Sequence, residues 1–320
     1  MLAYIIRKTL QIVPMLLVLS LLVYIGLDLM PGDAVSYLIG PDAMASIDPA
    51  KLDEIRARLG LNDPFIVRYW HWLLGVVQGD FGYSLTSGVP VSEILWRRLP
   101  ATVELSIAAL VISTVLGSVL GIISALRQGS PLDSGLTVAG MIGLSIPEFF
   151  FGLMLIVVFS LGLGWFPVGG RTSLGSGSLW TQLHQLALPA FALGIAMTAG
   201  VMRYARGAML DAASRPFMTT ARAKGAPMWR VNIVHGFRVA LTPMVVLIGF
   251  RLPTLISGSV VIEQIFQWPG IGSEFLAAVR GHDYPLIMII ALLSTGAMLA
   301  ASLIIDLVTA VIDPRVRLEK

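Results

Sequence analysis

The chain has 320 residues, of which 56% are hydrophobic and only 13% charged. Its 22 Lys and Arg against 19 Asp and Glu leave a net charge of +3, and its mean hydropathy is +0.83. A soluble domain carries about 25% charged residues, so this composition excludes a water-solvated globule; the absence of cysteine also excludes a disulfide framework, a thiolate metal site and a cysteine nucleophile.

Six stretches are long and apolar enough to span the hydrocarbon layer as helices: Thr9–Leu29, Ala101–Leu126, Leu136–Leu161, Leu186–Met202, Ala240–Ile262 and Pro285–Val311. Helix is the default in lipid because each segment must satisfy its own backbone polar groups. Barrel strands would alternate apolar with polar residues, and these runs do not. The expected fold is all-α and polytopic, one transmembrane domain over residues 1–320.

The first span follows Arg7 and Lys8 and contains Pro14. It is too long for a signal-peptide core and has no small-residue cleavage site, so it is expected to stay as an anchor. A long segment, 31–100, comes next. Asp48, Pro49 and Gly60 bracket a short helix there, with Leu52, Ile55 and Leu59 on one face. A second amphipathic stretch starts near Pro64 and carries Phe65, Tyr69, Trp70, Trp72 and Leu73. These aromatics fit either a membrane-interface belt or a docking surface for an extracytoplasmic partner.

The second span is expected to begin after Pro100, and its Gly117 and Gly121 form a G-x-x-x-G pair that can mark close helix packing. The third carries Ser145-Ile146-Pro147-Glu148-Phe149, which predicts a kinked helix with Glu148 facing the protein interior. The fourth is the shortest, and Arg203 and Arg206 are expected to stop it. Beyond it, Asp211 to Lys224 is expected to be helical, ended by Gly225 with Pro227 just after. The fifth span holds Arg251, where a charge costs about 2.5–3.5 kcal/mol on insertion scales. Arg251 therefore faces either a watery path or an ion-pair partner, with Glu148 or Asp306 of the sixth span as candidates.

Orientation follows from Lys and Arg in the short loops. With the N-terminus inside, the inside segments hold Arg7, Lys8, Arg127, Arg203, Arg206, Arg215, Arg222, Lys224, Arg230, Arg238, Arg315, Arg317 and Lys320, while the short outside loops hold Arg171 and Arg280. The predicted topology is six helices, N-in and C-in. Segment 31–100 is then extracytoplasmic, and 207–238 is a cytoplasmic loop between helices four and five. This distribution accounts for the basic excess as a topology signal and removes nucleic acid as a partner.

No Gly-Lys pair exists for a phosphate-binding P-loop. The four histidines lie far apart, without H-E-x-x-H, and there is no G-x-S-x-G elbow. A transport pathway is the leading class, ahead of an intramembrane enzyme and an ion-coupled carrier acting alone. The carrier class favours inverted repeats and paired broken helices, and no convincing internal repeat is visible.

The loop Thr220-Ala221-Arg222-Ala223-Lys224-Gly225, followed by His235, Arg238, Ala240-Leu241 and Pro243, resembles the cytoplasmic coupling loop of ABC-importer permeases. The likeness is greatest to the peptide-type subfamily of oligopeptide, dipeptide, nickel and glutathione systems. Leu29-Met30-Pro31-Gly32-Asp33, Gly79-Asp80-Phe81-Gly82-Tyr83-Ser84, Leu144-Ser145-Ile146-Pro147, Gly164-Trp165-Phe166-Pro167, Phe266-Gln267-Trp268-Pro269-Gly270-Ile271-Gly272, Asp283-Tyr284-Pro285 and Asp313-Pro314-Arg315 fit in order along nearly the whole chain. The loop departs from the generic pattern in opening with Thr219-Thr220-Ala221 rather than Glu-Ala-Ala, and in the longer distance from Gly225 to Pro243.

The resemblance implies the first permease of a pair in a prokaryotic cytoplasmic (inner) membrane, forming half of a translocation path for peptides or similar solutes. It implies a second permease subunit, two cytoplasmic ATPase subunits and an extracytoplasmic solute-binding protein as partners. It implies no cofactor, no metal and no ATP chemistry in this chain. Thr220, Ala221, Arg222, Ala223, Lys224 and Gly225 would contact an ATPase. Arg251, Glu148 and Asp306 are the candidates for the path.

Overall fold

The computed structural model describes residues 2–29, 49–58, 62–172, 178–241, 244, 249 and 260–312. Among these the protein is all-helical, with one isolated bridge between Tyr83 and Pro90 and no strand. In chain order the elements are α1 (Leu2–Asp28), α2 (Pro49–Arg58), α3 (Phe65–Gln78), α4 (Val91–Leu126), α5 (Pro131–Ser145), α6 (Glu148–Leu155) with a π-helical continuation Ile156–Gly162, and α7 (Leu179–Ala213). Then follow α8 (Pro216–Ala223), a π-helical segment Arg230–Phe237, α9 (Val260–Ile265), α10 (Ile271–Arg280) and α11 (Tyr284–Ile312). Four helices among the described residues are long and apolar enough to cross a bilayer, and the bent pair α5 and α6 makes a fifth if taken as one span. Most of the expected fifth span, Arg251 included, lies outside the described residues.

α7 is the centre of the bundle: 67% of its apolar window is buried, against 6% for α1. It runs parallel to α4, and glycines set the approach. A Cβ on Gly117 would stand 2.6 Å from Val201 Cβ, one on Gly121 2.5 Å from the Met202 carbonyl, and one on Gly194 2.9 Å from Ile112 Cγ2. The G-x-x-x-G pair is thus a helix-packing device here, since only hydrogen side chains let these backbones meet. One core joins α4, α6 and α7 to α9 and the following turn, with Leu105, Phe266 and Trp268 at its heart. A second joins the start of α4 to α10 and α11 through Val91, Ile271 and Leu286. The exposed apolar faces of α1, α4 and α6 suit lipid, where no water penalises them.

Several boundaries differ from expectation. α4 starts at Val91 and runs through Pro100, so the last ten residues of segment 31–100 are helical. α7 is not stopped by Arg203 or Arg206 but continues to Ala213. Charge ends the apolar run, not the helix, because backbone bonding is indifferent to side-chain charge. At 35 residues α7 is about 52 Å long, well beyond a hydrocarbon layer of about 30 Å. The expected single helix from Asp211 to Lys224 is broken at Ser214-Arg215. Pro216 occupies the first position of α8 and Arg215 is extended, at φ −77° and ψ 144°, as a residue before proline tends to be.

The third span is more than kinked. α5 and α6 meet at 99°. Ile146 and Pro147 are both extended, at ψ 123° and 134°, because the proline ring disfavours a helical residue before it. The aromatics of α3 pack inward on α1: Tyr24 makes edge contacts with Phe65 at 5.4 Å and Tyr69 at 5.5 Å, and the Tyr69 hydroxyl lies 2.9 Å from Ser20 Oγ. Trp70 stays exposed.

Candidate functional site

The end of the bundle where α7 overruns carries the expected coupling loop. α8 is one short amphipathic helix. Its Met218 is fully buried, with Cε 3.2 Å from where a Cβ on Gly236 would stand and 1% of its surface exposed. Val231 is buried beside it. The helix is therefore seated on the π-helical segment by its inward face, while Thr220, Arg222, Ala223, Lys224 and Gly225 are exposed and Ala221 is half-buried. The Thr220 hydroxyl donates to the Pro216 carbonyl at 3.1 Å, so it serves its own helix. Gly225 ends the helix at φ +76°, donating to the Arg222 carbonyl at 2.9 Å. A left-handed residue suits glycine because it has no Cβ.

The charges of this surface are uncompensated. Among the described residues, Arg203, Arg215, Arg222, Lys224, Arg230 and Arg238 have no acidic partner, although Arg230 lies over its neighbour Trp229 at 5.6 Å. At the opposite end three arginines are paired, Arg68 with Asp28 at 2.7 Å, Arg98 with Glu274 at 2.8 Å and Arg171 with Glu104 at 2.7 Å, while Arg280 is exposed. Unpaired cations are thus concentrated at the end that carries the loop.

Behind the loop, α7 is tied to the start of α5. Arg206 Nε and Nη2 donate to the two Asp133 oxygens, each at 2.8 Å. Ser124 Oγ and the Gly129 amide also donate to Asp133, the latter at 3.0 Å. Ser130 caps α5 by accepting from the Asp133 amide, with Pro131 in the first turn. Sequence reasoning missed this joint. Arg206 read only as a stop, and nothing local to Asp133 marks its partner 73 residues on.

Two buried carboxylates hold the opposite end. Glu263 accepts from Thr102 Oγ1 at 2.8 Å and from the Ser273 amide at 2.7 Å, while Trp268 Nε1 donates to the Ala101 carbonyl at 2.8 Å. Asp283 accepts from Ser84 Oγ and from Thr86 Oγ1 at 2.9 Å. The motif Gly79–Ser84 thus meets Asp283-Tyr284-Pro285, and Gly169 packs on the Phe266 backbone so closely that a Cβ has no room. Residues far apart in sequence converge in pairs, each closing one part of the bundle end.

The three path candidates are not brought to one place. Asp306 pairs with Lys8 across α1 and α11. Glu148, half-buried, opens α6 at the break and lines a cavity of about 60 Å³ with Gly143, Ile146, Phe151, Ile195 and Ala196. A larger cleft of about 360 Å³ adjoins it between α5 and α7, sharing Gly143, Phe151 and Ile195. Arg251 lies outside the described residues.

A multi-span helical protein, broken at one span and presenting an open basic loop at one end, is built to connect a membrane pathway with something beside the membrane. Residues 117–318 match the family described as "Binding-protein-dependent transport system inner membrane component", and residues 1–106 match its N-terminal companion, "Binding-prot-dependent transport system membrane comp, N-term". The chain belongs to this family of binding-protein-dependent inner-membrane transport components. It is 42% identical over 318 residues to the oligopeptide transport system permease protein AppB of Bacillus subtilis (strain 168), covering 99% of each chain. It is 39% identical over 319 residues to a putative peptide permease protein of Brucella suis biovar 1 (strain 1330), and 36% identical over 318 residues to the glutathione transport system permease protein GsiC of Escherichia coli (strain K12), again over 99% of each chain. The protein is accordingly a multi-pass inner-membrane permease subunit of a binding-protein-dependent ABC importer, working with a further permease, ATPase and binding-protein partners. ATP hydrolysis lies in other subunits.

Proposed function

We propose that this permease imports peptides or peptide-like solutes, in line with the oligopeptide, peptide and glutathione systems of its relatives. The chain is one transmembrane domain of six helices, N-in and C-in, with residues 31–100 extracytoplasmic and 207–238 forming the cytoplasmic coupling loop. Two ATPases bind below and a second permease completes the path. Thr220, Ala221, Arg222, Ala223, Lys224 and Gly225 form the ATPase contact, and Glu148 and Arg251 line the path, with Asp306 tied to Lys8 at its edge.

One observation carries this reading: α8 is seated by Met218 while its other face and the surrounding cations stand open. Exposed ion pairs are individually weak, so the cations orient the contact and α8 transmits force. Closure of the ATPase pair moves α8, and the rigid α7 carries that motion into the bundle.

The test is a mild-detergent pull-down of the chain from its native membrane, intact and with Ala221–Gly225 replaced. The reading expects an ATPase and a second permease with the intact chain, and loss of the ATPase alone with the altered loop. A chain recovered alone in both cases would favour an ion-coupled carrier.

A further inference from the structure

We propose that Glu148 is a cation-recognition group of the path, taking the positively charged amino group of the passing solute. The inference rests on the peptide-import reading and names the chemistry at one point of it.

Glu148 shares a face of α6 with Phe151, Gly152 and Leu155, spaced as i, i+3, i+4 and i+7. Gly152 and Leu155 are buried, and a Cβ on Gly152 would stand 3.2 Å from the Phe266 ring. The face is therefore the inward one, and Glu148 ends it at the break, against Ile195 and Ala196 of α7. Among the described residues, Glu148 is the single ionisable side chain lining either the small cavity or the adjoining cleft. The cleft's Thr198 hydroxyl is already committed, donating to the Gly194 carbonyl at 2.8 Å. Among the described residues Glu148 has neither a hydrogen-bond nor an ion-pair partner. A carboxylate in apolar surroundings is costly without a counter-charge, and the fully buried carboxylates among the described residues, Asp133, Glu263 and Asp283, each have several donors. Among the described residues that line the two cavities, Glu148 is the carboxylate left to meet a cation. An ammonium group supplies one charge and three N–H donors on a compact head, which suits a small cavity beside a larger apolar cleft. The solute's side chains would occupy the cleft without specific polar contacts, so recognition falls on a group that every free-amino peptide carries.

The experiment uses the whole importer, with its binding protein, in proteoliposomes. The probes are trialanine and N-acetyl-trialanine, offered at saturating loaded binding protein to wild type, Glu148→Gln and Glu148→Asp. Loss of a charge-assisted hydrogen bond predicts a fall of about tenfold or more in the maximal trialanine rate for Glu148→Gln, with substantial recovery in Glu148→Asp. N-acetyl-trialanine has no ammonium, so its rate is expected to be the same in wild type and Glu148→Gln. Assembly of the complex, read by gel filtration, stays unchanged. Equal trialanine rates in wild type and Glu148→Gln overturn the inference while leaving the import reading intact. Loss of the second permease from Glu148→Gln overturns it in favour of a subunit contact. If the wild-type importer carries neither probe, the peptide reading itself fails and takes the inference with it.

Discussion

Arg206 on α7 and Asp133 on α5 are joined by two parallel hydrogen bonds of 2.8 Å. The fork of a guanidinium matches a carboxylate in this way and fixes orientation as well as distance. The joint lies between the exposed loop that follows α7 and the broken helix α5–α6, so it ties the two together. Removing one partner leaves the other without its charge. Arg206→Ala and Asp133→Ala are expected to lower the thermal unfolding midpoint in detergent by several degrees. Arg206→Lys should be intermediate, since lysine lacks the fork. A charge swap at both positions should recover part of the loss. Midpoints equal to wild type in both alanine variants would show that the joint is not structural.

The glycines of α4 and α5 make a paired test. At Gly121 a Cβ meets the Met202 carbonyl at 2.5 Å and Ala205 Cβ at 2.6 Å, whereas at Gly135 nothing lies within 4 Å. Backbone atoms cannot step aside as a flexible side chain can. Gly121→Ala is expected to destabilise the α4–α7 contact by about 1–3 kcal/mol, the usual cost of overpacking. Gly135→Ala should be neutral or favourable by about 0.5–1 kcal/mol from helix propensity. Unfolding midpoints of the two variants check the contrast.

Gly225 separates turn geometry from bulk. Nothing lies within 4 Å of a Cβ placed there, yet its φ is +76°. A β-branched residue in the left-handed region costs about 1–2 kcal/mol, while asparagine visits it more readily. Gly225→Val is expected to leave the complex assembled but to abolish stimulation of ATPase activity by loaded binding protein. Gly225→Asn should retain most of it. Equal stimulation in both variants would mean that the turn does not matter to coupling.

Met218 is the peg under α8. Met218→Ala removes a buried side chain at a cost of about 2–5 kcal/mol. The expected result is faster amide hydrogen exchange in residues 216–223, without a matching change in α4. Unaltered exchange would show that α8 is held by other contacts.

Asp283 closes the opposite end by accepting from Ser84 and Thr86. Asp283→Ala removes the acceptor of the buried Ser84 hydroxyl, at a cost of about 1–3 kcal/mol for a buried group left unsatisfied, and releases the exposed Thr86 from its contact. Limited proteolysis is expected to cut faster within residues 79–90 in this variant than in wild type.

The sequence by itself determined the solvent, and with it the helical class. Long apolar runs admit one economical backbone arrangement in hydrocarbon, and the basic loops are confined to a few places along them. It marked the exposed loop around Thr220–Gly225, since proline and glycine act through local backbone geometry. It also singled out Glu148 beside Pro147, although the 99° bend exceeds a kink. What only the tertiary structure decided is which distant residues meet. The same charge reads alike in sequence whether it ends a span, as Arg206 seemed to, or locks onto a carboxylate 73 residues away. Nothing local to Glu263 or Asp283 marks either as buried, and their burial followed from α4 and residues 84–86 closing over them. Local propensity is written within a few residues of itself, whereas pairing energy belongs to neighbours that only packing creates.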